Sequence, residues 1–358
     1  MSRIINVAYI GDYPFSIAFG GKEVQMLTYE AMINKQYSAE IRIIRFDPWD
    51  KEMLQNLDII HLFGHNTWFY DLAKPLKTEK NIKIINSPTF YVSNYNTMKA
   101  ASLVSNLIPI PNYFSYKKGF FHQCDSIIVN SLDEKNQIQC LFGVDLGKKI
   151  KVVYNSIERD YKEFREISNI NCFLNKYSLD PGYLLCVAFL DERKNTIKLI
   201  QAFLSCYQEI RKKLVLIGDY RFLLDSNRRI TQKLIDDNHD KVIHIPYINR
   251  YDDLLKSAYY HCSAHLLPSI LETPGLSNLE ALYFNKPILV GKCKPVEEYF
   301  HEYAIYCDQS SRHGIMKGIK EIVSISNNNE YSSLVEKKYL LDNNTTKLKD
   351  IYYKVTNC

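Results

Sequence analysis

Two successive sets of short apolar runs, each run set off from the next by a helix-length stretch, constrain this chain more than any other feature. The first set comprises Ile4–Ile10, Ile41–Ile44, Ile59–Phe63, Ile82–Ile85, Ser126–Val129 and Lys151–Tyr154. Strands spaced by helices build a parallel, doubly wound sheet rather than hairpins. The pattern weakens between residues 161 and 180, which end in Asp180-Pro181-Gly182. It then resumes with Tyr183–Ala188, a helix over Thr196–Tyr207, Leu214–Gly218, Val242–Ile245, His265–Leu267 and Ile288–Val290. The tail from Tyr331 to Val355 reads as two helices. A chain of 358 residues exceeds one small core. The expected organisation is therefore two α/β domains, 1–165 and 166–340, followed by a terminal helix over 341–358.

Composition removes several classes. A hydrophobic content of 46% and a charged content of 24% are those of an ordinary globular chain. A net charge of +5 is too mild for a nucleic-acid footprint, though it allows weak attraction to an anionic membrane surface. No apolar run reaches the roughly 18 residues of a membrane-spanning helix. Nine cysteines stand singly, without a C-x-x-C pair, and no apolar signal segment is read before them. That pattern argues against a disulfide framework or a zinc site and for a reducing, cytoplasmic setting.

The window most informative about chemistry is Pro268-Ser269-Ile270-Leu271-Glu272-Thr273-Pro274-Gly275-Leu276-Ser277-Asn278-Leu279-Glu280-Ala281-Leu282. Pro274 and Gly275 interrupt regular structure. Ser277, with Glu280 three residues on, reads as a capping box opening a helix that stops near Asn285. Pro287 then leads into a strand. A helix start preceded by glycine offers unbonded backbone N–H groups and a positive dipole end, a ready phosphate site. Glu272 lies beside it and would face sugar hydroxyls or a developing positive charge. Taken alone, the junction also admits a plainer account, with Glu280 as a cap and Glu272 as a solvated loop acid.

The same window resembles the E-x7-E signature of the retaining GT-B glycosyltransferases of family 4, Pro-Ser-x-x-Glu-x-x-Gly-Leu-x-x-Leu-Glu-Ala followed by a Pro-led strand. Pro268, Ser269, Glu272, Gly275, Leu276, Leu279, Glu280 and Ala281 fall in register, with Thr273-Pro274 as a tolerated spacer. Other stretches extend the likeness. Gly20-Gly21 before the helix starting at Lys22 resembles the family's N-terminal Gly-Gly loop. Asp125–Ser131 and Lys151–Ile157 resemble two architectural segments, with Ser156 where the family carries Gly. Lys194 matches the family's lysine after the strand 184–188. The arginine expected just after that strand is Phe189, and the glycine before it is Ala188. Asn86 stands where a histidine is often found.

The resemblance implies a GT-B fold: two Rossmann-like, doubly wound parallel-sheet domains facing across a cleft, with the last helix crossing back to the first. The first domain would take the acceptor and the second the nucleotide-sugar donor. It implies donor contacts from Gly20, Gly21, Arg193, Lys194, Glu272, Gly275, Leu276, Ser277 and Glu280, with Glu272 and Lys194 as the catalytic pair. His65, at a strand end, is a further candidate. Two cations at Arg193-Lys194 would neutralise a diphosphate leaving group without a metal or other cofactor. The expected activity is retaining transfer of a sugar from a nucleotide-diphosphate donor, uridine favoured over guanosine, to a hydroxyl of a growing glycan or lipid-linked acceptor. Peripheral contact at the inner membrane face is allowed, and no nucleic-acid partner is expected. The alternative, supported by Phe189, is a non-catalytic GT-B subunit of a glycan-assembly complex. The aromatic-rich stretch 87–122, with Lys117 and Lys118, serves either a membrane- or glycan-facing surface or plain packing.

Overall fold

The computed structural model describes residues 3–15, 20–92, 94–105, 107, 110–158, 170–325 and 330–357. They form two compact units, one comprising Met1–Asn155 with Leu341–Cys358 and the other Ser156–Leu340. The boundary expected at 165/166 lies outside the described residues.

The first unit is built on six parallel strands, β1 (Ile5–Gly11), β2 (Ile41–Arg45), β3 (Ile59–Phe63), β4 (Lys83–Ser87), β5 (Ser126–Val129) and β6 (Ile150–Val152), in the order β2-β1-β3-β4-β5-β6. Strands covered on both faces read as continuous apolar runs, which is why they stand out in the sequence. Alternate residues go to opposite faces. Val7, Tyr9, Ile59 and Phe63 meet Met26, Tyr29 and Ile33 of the helix Gly21–Tyr37 and Leu348 and Tyr352 of the helix Leu341–Thr356. Ala8, Ile60, Leu62 and Ile127 meet Phe69, Phe120, Phe121 and Phe142 on the other side. The Tyr352 hydroxyl lies 2.6 Å from that of Tyr9 and 2.8 Å from His61 Nδ1, and Ser87 Oγ lies 2.8 Å from His61 Nε2. Burial lowers the His61 imidazole to about 3, so it is neutral. β4 continues through Ser87, so Asn86 belongs to the sheet, where its side chain donates to the Leu62 and Gly64 carbonyls at 2.9 and 2.8 Å.

The second unit carries β7 (Leu184–Val187), β8 (Leu214–Ile217), β9 (Val242–Ile245), β10 (Ala264–Leu267), β11 (Ile288–Gly291) and β12 (Ala304–Cys307), all parallel, in the order β12-β11-β10-β7-β8-β9. Chain order therefore reverses between β7 and β10. Leu184, Cys186, Leu214, Leu216, Leu266 and Leu289 meet Leu199, Phe203, Ile315 and Ile319 of the helices Thr196–Ile210 and Arg312–Ser324. β12 is an addition to the sequence reading. It is an edge strand buried fully only at Cys307, with Ile305 its one branched aliphatic residue, so it does not stand out as an aliphatic run. The two tail helices are Tyr331–Lys338 and Leu341–Thr356. No helix among the described residues is long and apolar enough to cross a membrane.

Candidate functional site

In an open α/β sheet the loops leaving neighbouring strands diverge where chain order reverses, and the crevice they leave is where ligands bind. In the second unit that point lies between β7 and β10. The loop after β7 carries Phe189 to Asn195, and the loop after β10 carries Pro268 to Gly275. Arg193, Lys194, Glu272 and Gly275 are thus brought to one end of one sheet although nearly eighty residues separate the two groups.

The two loops are fastened to each other through backbone groups. Ile270 N–H donates to the Arg193 carbonyl at 2.8 Å. Asn195 adopts a left-handed backbone (φ 62°), a conformation asparagine tolerates better than most residues. From there its buried amide donates to the carbonyls of Pro268 at 3.2 Å and Gln309 at 2.8 Å. Asp191 Oδ1 accepts from the Lys194 N–H at 2.6 Å. Burial pushes the Asp191 carboxyl up, with that hydrogen bond and the Arg193 and Lys194 charges acting against it.

At the centre, Lys194 Nζ pairs with Glu272 Oε2, both side chains being little more than a tenth exposed. Arg193 Nη1 lies 3.5 Å from the same oxygen and donates to the Leu271 carbonyl at 3.1 Å. Ser269 Oγ donates to Glu272 Oε2 at 3.2 Å, and the Thr273 N–H to Oε1 at 3.3 Å. Burial pushes the Glu272 carboxyl up, but the Lys194 and Arg193 charges, with the hydrogen bonds from Lys194 and the Thr273 N–H, outweigh it, and the net displacement is downward. Glu272 is a fixed anion, not a solvated loop acid.

The helix Leu276–Tyr283 begins two residues earlier than expected. Its N-cap is Gly275 (φ 85°), and no side chain caps it. The Ser277–Glu280 capping box is therefore not formed, and Ser277 is the second helical residue. A Cβ at Gly275 would sit 3.0 Å from Asn278 Nδ2 and from Leu267 Cδ2, so both backbone angle and space select glycine. Asn278 does the fastening instead. Its Nδ2 donates to the Pro274 carbonyl at 3.0 Å, and its Oδ1 lies 3.0 Å from His265 Nδ1. Because the Val187 N–H points at His265 Nε2 (3.3 Å), the proton is on Nδ1. Burial holds that imidazole neutral, lowering it to about 3. The first-turn amides of Leu276 and Ser277 have no carbonyl one turn back to bond.

Glu280 projects from the same helix into the unit. Tyr259 donates its hydroxyl to Glu280 Oε2 at 2.8 Å, and Arg250 Nη2 lies 3.6 Å from Oε1. Its carboxylate is anchored by partners far off in sequence.

At the expected arginine position, the Phe189 ring is covered by a guanidinium. Arg221 Cζ lies 3.8 Å from the ring centroid. Arg221 follows β8, and its N–H donates to the Leu190 carbonyl at 2.9 Å. Glu192 binds that loop further along, accepting from the N–H groups of Leu223 and Leu224 and from Asn227 Nδ2 at 3.0 to 3.2 Å. A cation thus stands over position 189 from a different loop. No local spacing could reveal it, nor the roles of Asn195, Arg250 and Tyr259.

Gly20, Gly21 and His65 belong to the first unit. Gly20 caps the helix Gly21–Tyr37, and its N–H donates to Glu23 Oε2 at 2.8 Å. His65 follows β3 with its ring centroid 5.6 Å from that of Phe90, in an edge-to-face arrangement. Of the aromatic stretch 87–122, Phe90, Phe120 and Phe121 are core residues, whereas Tyr113 and Tyr116 are exposed. Among the described residues no three His, Cys, Asp or Glu side chains converge as a metal site requires.

Residues 173–339, nearly the whole second unit, match the profile of the family Glycosyl transferases group 1. No curated protein matches the sequence significantly. Solved structures are similar over almost the whole chain. Anabaena HepE in complex with UDP-glucose has a TM-score of 0.72 at 13% identity, covering 98% of this chain and 100% of that one. Sucrose-phosphate synthase from Thermosynechococcus elongatus gives 0.72 at 15% identity, covering 98% and 99%. WaaG, a glycosyltransferase involved in lipopolysaccharide biosynthesis, gives 0.68 at 13% identity, covering 97% and 99%. The chain therefore has the GT-B fold, and the unit that holds Lys194, Glu272 and Glu280 is similar in sequence to glycosyl transferases group 1.

Proposed function

We propose that the protein is a metal-independent, retaining glycosyltransferase of the family 4 kind, which moves a sugar from a nucleotide-diphosphate donor, UDP in the first instance, to a hydroxyl of a glycan or lipid-linked acceptor. The observation that carries this reading is the buried Lys194–Glu272 pair beside an uncapped helix start at the strand-order reversal of the second unit. The group 1 match over that unit and the UDP-glucose bound by the similar HepE support it.

The roles follow from charge. A lysine ammonium has three donors, and Glu272 takes one, which leaves two for a leaving diphosphate. Arg193 and Arg221 supply further positive charge, so no divalent cation is needed to offset the phosphates. The amides at Gly275, Leu276 and Ser277 suit the distal phosphate. Glu272, kept ionised by Lys194, faces the donor sugar and the cationic character it acquires as the bond to the leaving group lengthens. Glu280, locked by Tyr259 and Arg250, offers its carboxylate to the ribose hydroxyls. The arginine stacked on Phe189 removes the main support for a non-catalytic subunit, because a cation is still delivered there.

Calorimetric titration with a panel of nucleotide sugars tests this. One donor should bind the wild type, bind Lys194→Ala at least tenfold more weakly, and turn over in the presence of a chelator. A folded protein that binds none of them, or whose turnover the chelator abolishes, overturns the corresponding part of the reading.

A further inference from the structure

The first sheet has a strand-order reversal of its own, between β1 and β3, and it too should open a ligand crevice at the carboxyl ends of those strands. The loop after β1 supplies Asp12, and the loop after β3 supplies Gly64, His65 and Asn66. Asp12 is 7% exposed. It accepts from the Asn66 N–H at 3.0 Å through Oδ1 and pairs with Lys22 through Oδ2. A Cβ on Gly64 would fall 2.0 Å from Asp12 Oδ2, so glycine is required for the carboxylate to sit there.

Lys117, on the helix Tyr113–Gln123, is the unusual member of this group. It is only 2% exposed, and among the described residues it makes no hydrogen bond or ion pair. Its ammonium lies 5.6 Å from the Tyr113 ring centroid. Asp12 and Lys22 are the charges it senses, and these two already neutralise each other. His65 carries no charge at neutral pH, since burial and then the Lys117 charge lower its imidazole to about 4. Among the described residues, this nearly buried side chain is therefore left with a positive charge and no counter-charge, a costly arrangement unless a ligand supplies one.

We propose that this reversal point is a binding site for an oxyanion, a phosphate or carboxylate group of a small ligand, with Lys117 as its counter-charge. Resting on the transferase reading, that group is carried by the acceptor, because the donor's diphosphate is assigned to the second unit. The acceptor class is then an acidic or phosphorylated sugar or lipid headgroup.

Binding is tested without donor or turnover, so the outcome does not depend on the transferase reading. Thermal unfolding is followed with inorganic phosphate and, separately, acetate, each against chloride at equal ionic strength. Wild type and Lys118→Met, a change at the exposed neighbour, should both be stabilised by one of the two anions. Lys117→Met should bind that anion roughly ten- to a hundredfold more weakly, the loss of one charge-assisted hydrogen bond. Lys117-dependent stabilisation by phosphate alone assigns a phosphate group, and by acetate alone a carboxylate. Should Lys117→Met not fold, acetylation of Lys117 in the wild type, read by mass spectrometry, must slow when the anion is present. Neither anion acting, equal stabilisation of Lys117→Met, or unprotected acetylation overturns the proposal.

Discussion

Replacing Lys194 by methionine keeps the length and apolar stem of the side chain and removes only its charge. Glu272 would then be an anion about 12% exposed, with Arg193 at 3.5 Å as its remaining cation and Ser269 and Thr273 as donors. Removing one partner of a buried ion pair costs about 3–5 kcal/mol. The surviving arginine places Lys194→Met at the lower end, near 3 kcal/mol. In the double variant Lys194→Met/Glu272→Gln no charge is stranded, and about 2 kcal/mol should return. The pH dependence gives a second signature. In the wild type the Glu272 carboxyl lies below its usual 4.5, so its contribution is complete above that value and is lost only as pH falls through the lowered one. In Lys194→Met burial acts with the main opposing charge gone, and the carboxyl is pushed up. The variant's deficit should then shrink between pH 7 and pH 5, where the wild type gains nothing from this group. Urea unfolding of the three proteins at both pH values measures this. A deficit equal at the two pH values, or a double variant no better than the single one, would refute the picture of Glu272 as a buried anion held by Lys194.

Three further outcomes are expected. His61 and His265 are neutral in the folded state, both lowered by burial to about 3, whereas the unfolded chain protonates them below 6.5. Stability should therefore fall as pH drops from 6.5 towards 3, each imidazole contributing about 1.4 kcal/mol per pH unit, and His265→Gln should lessen the slope in urea titrations by that amount. Gly275→Ala should cost about 2 kcal/mol, because it forces a side chain onto positive φ against Asn278 and Leu267, while Gly21→Ala, with open space around it, should stay within about 0.5 kcal/mol in thermal unfolding. Arg221→Ala should weaken nucleotide-sugar binding roughly tenfold in calorimetry, yet change stability by no more than about 1 kcal/mol, the usual worth of an exposed cation–π pair.

Most of the architecture was legible because buried parallel strands write themselves as unbroken apolar runs between helix-length spacers. Eleven of the twelve strands lie on such runs, and the exception, β12, packs only partly and mixes alanine, tyrosine and cysteine. At the second unit's site, the sequence marked the loop and both glutamates but misjudged how they are held. Ser277 and Glu280 carry the letters of a capping box, yet Gly275 can take a backbone angle that starts the helix sooner, and Tyr259 and Arg250 claim the glutamate. Likewise Phe189 reads as a missing charge until Arg221, thirty-two residues on, is folded over its ring. Partners distant along the chain leave no periodicity or spacing to read.

The tyrosine pair Tyr9–Tyr352 joins residues 343 positions apart in the chain. As the polypeptide leaves the ribosome, the first sheet is complete by residue 152, but the face bearing Val7, Tyr9 and Phe63 still lacks the cover that Leu348 and Tyr352 provide. The whole second unit is made in the interval and can close around its own core. The half that begins the chain is thus the last to be finished, and until then it presents an apolar sheet face that a nascent chain must shield from its neighbours.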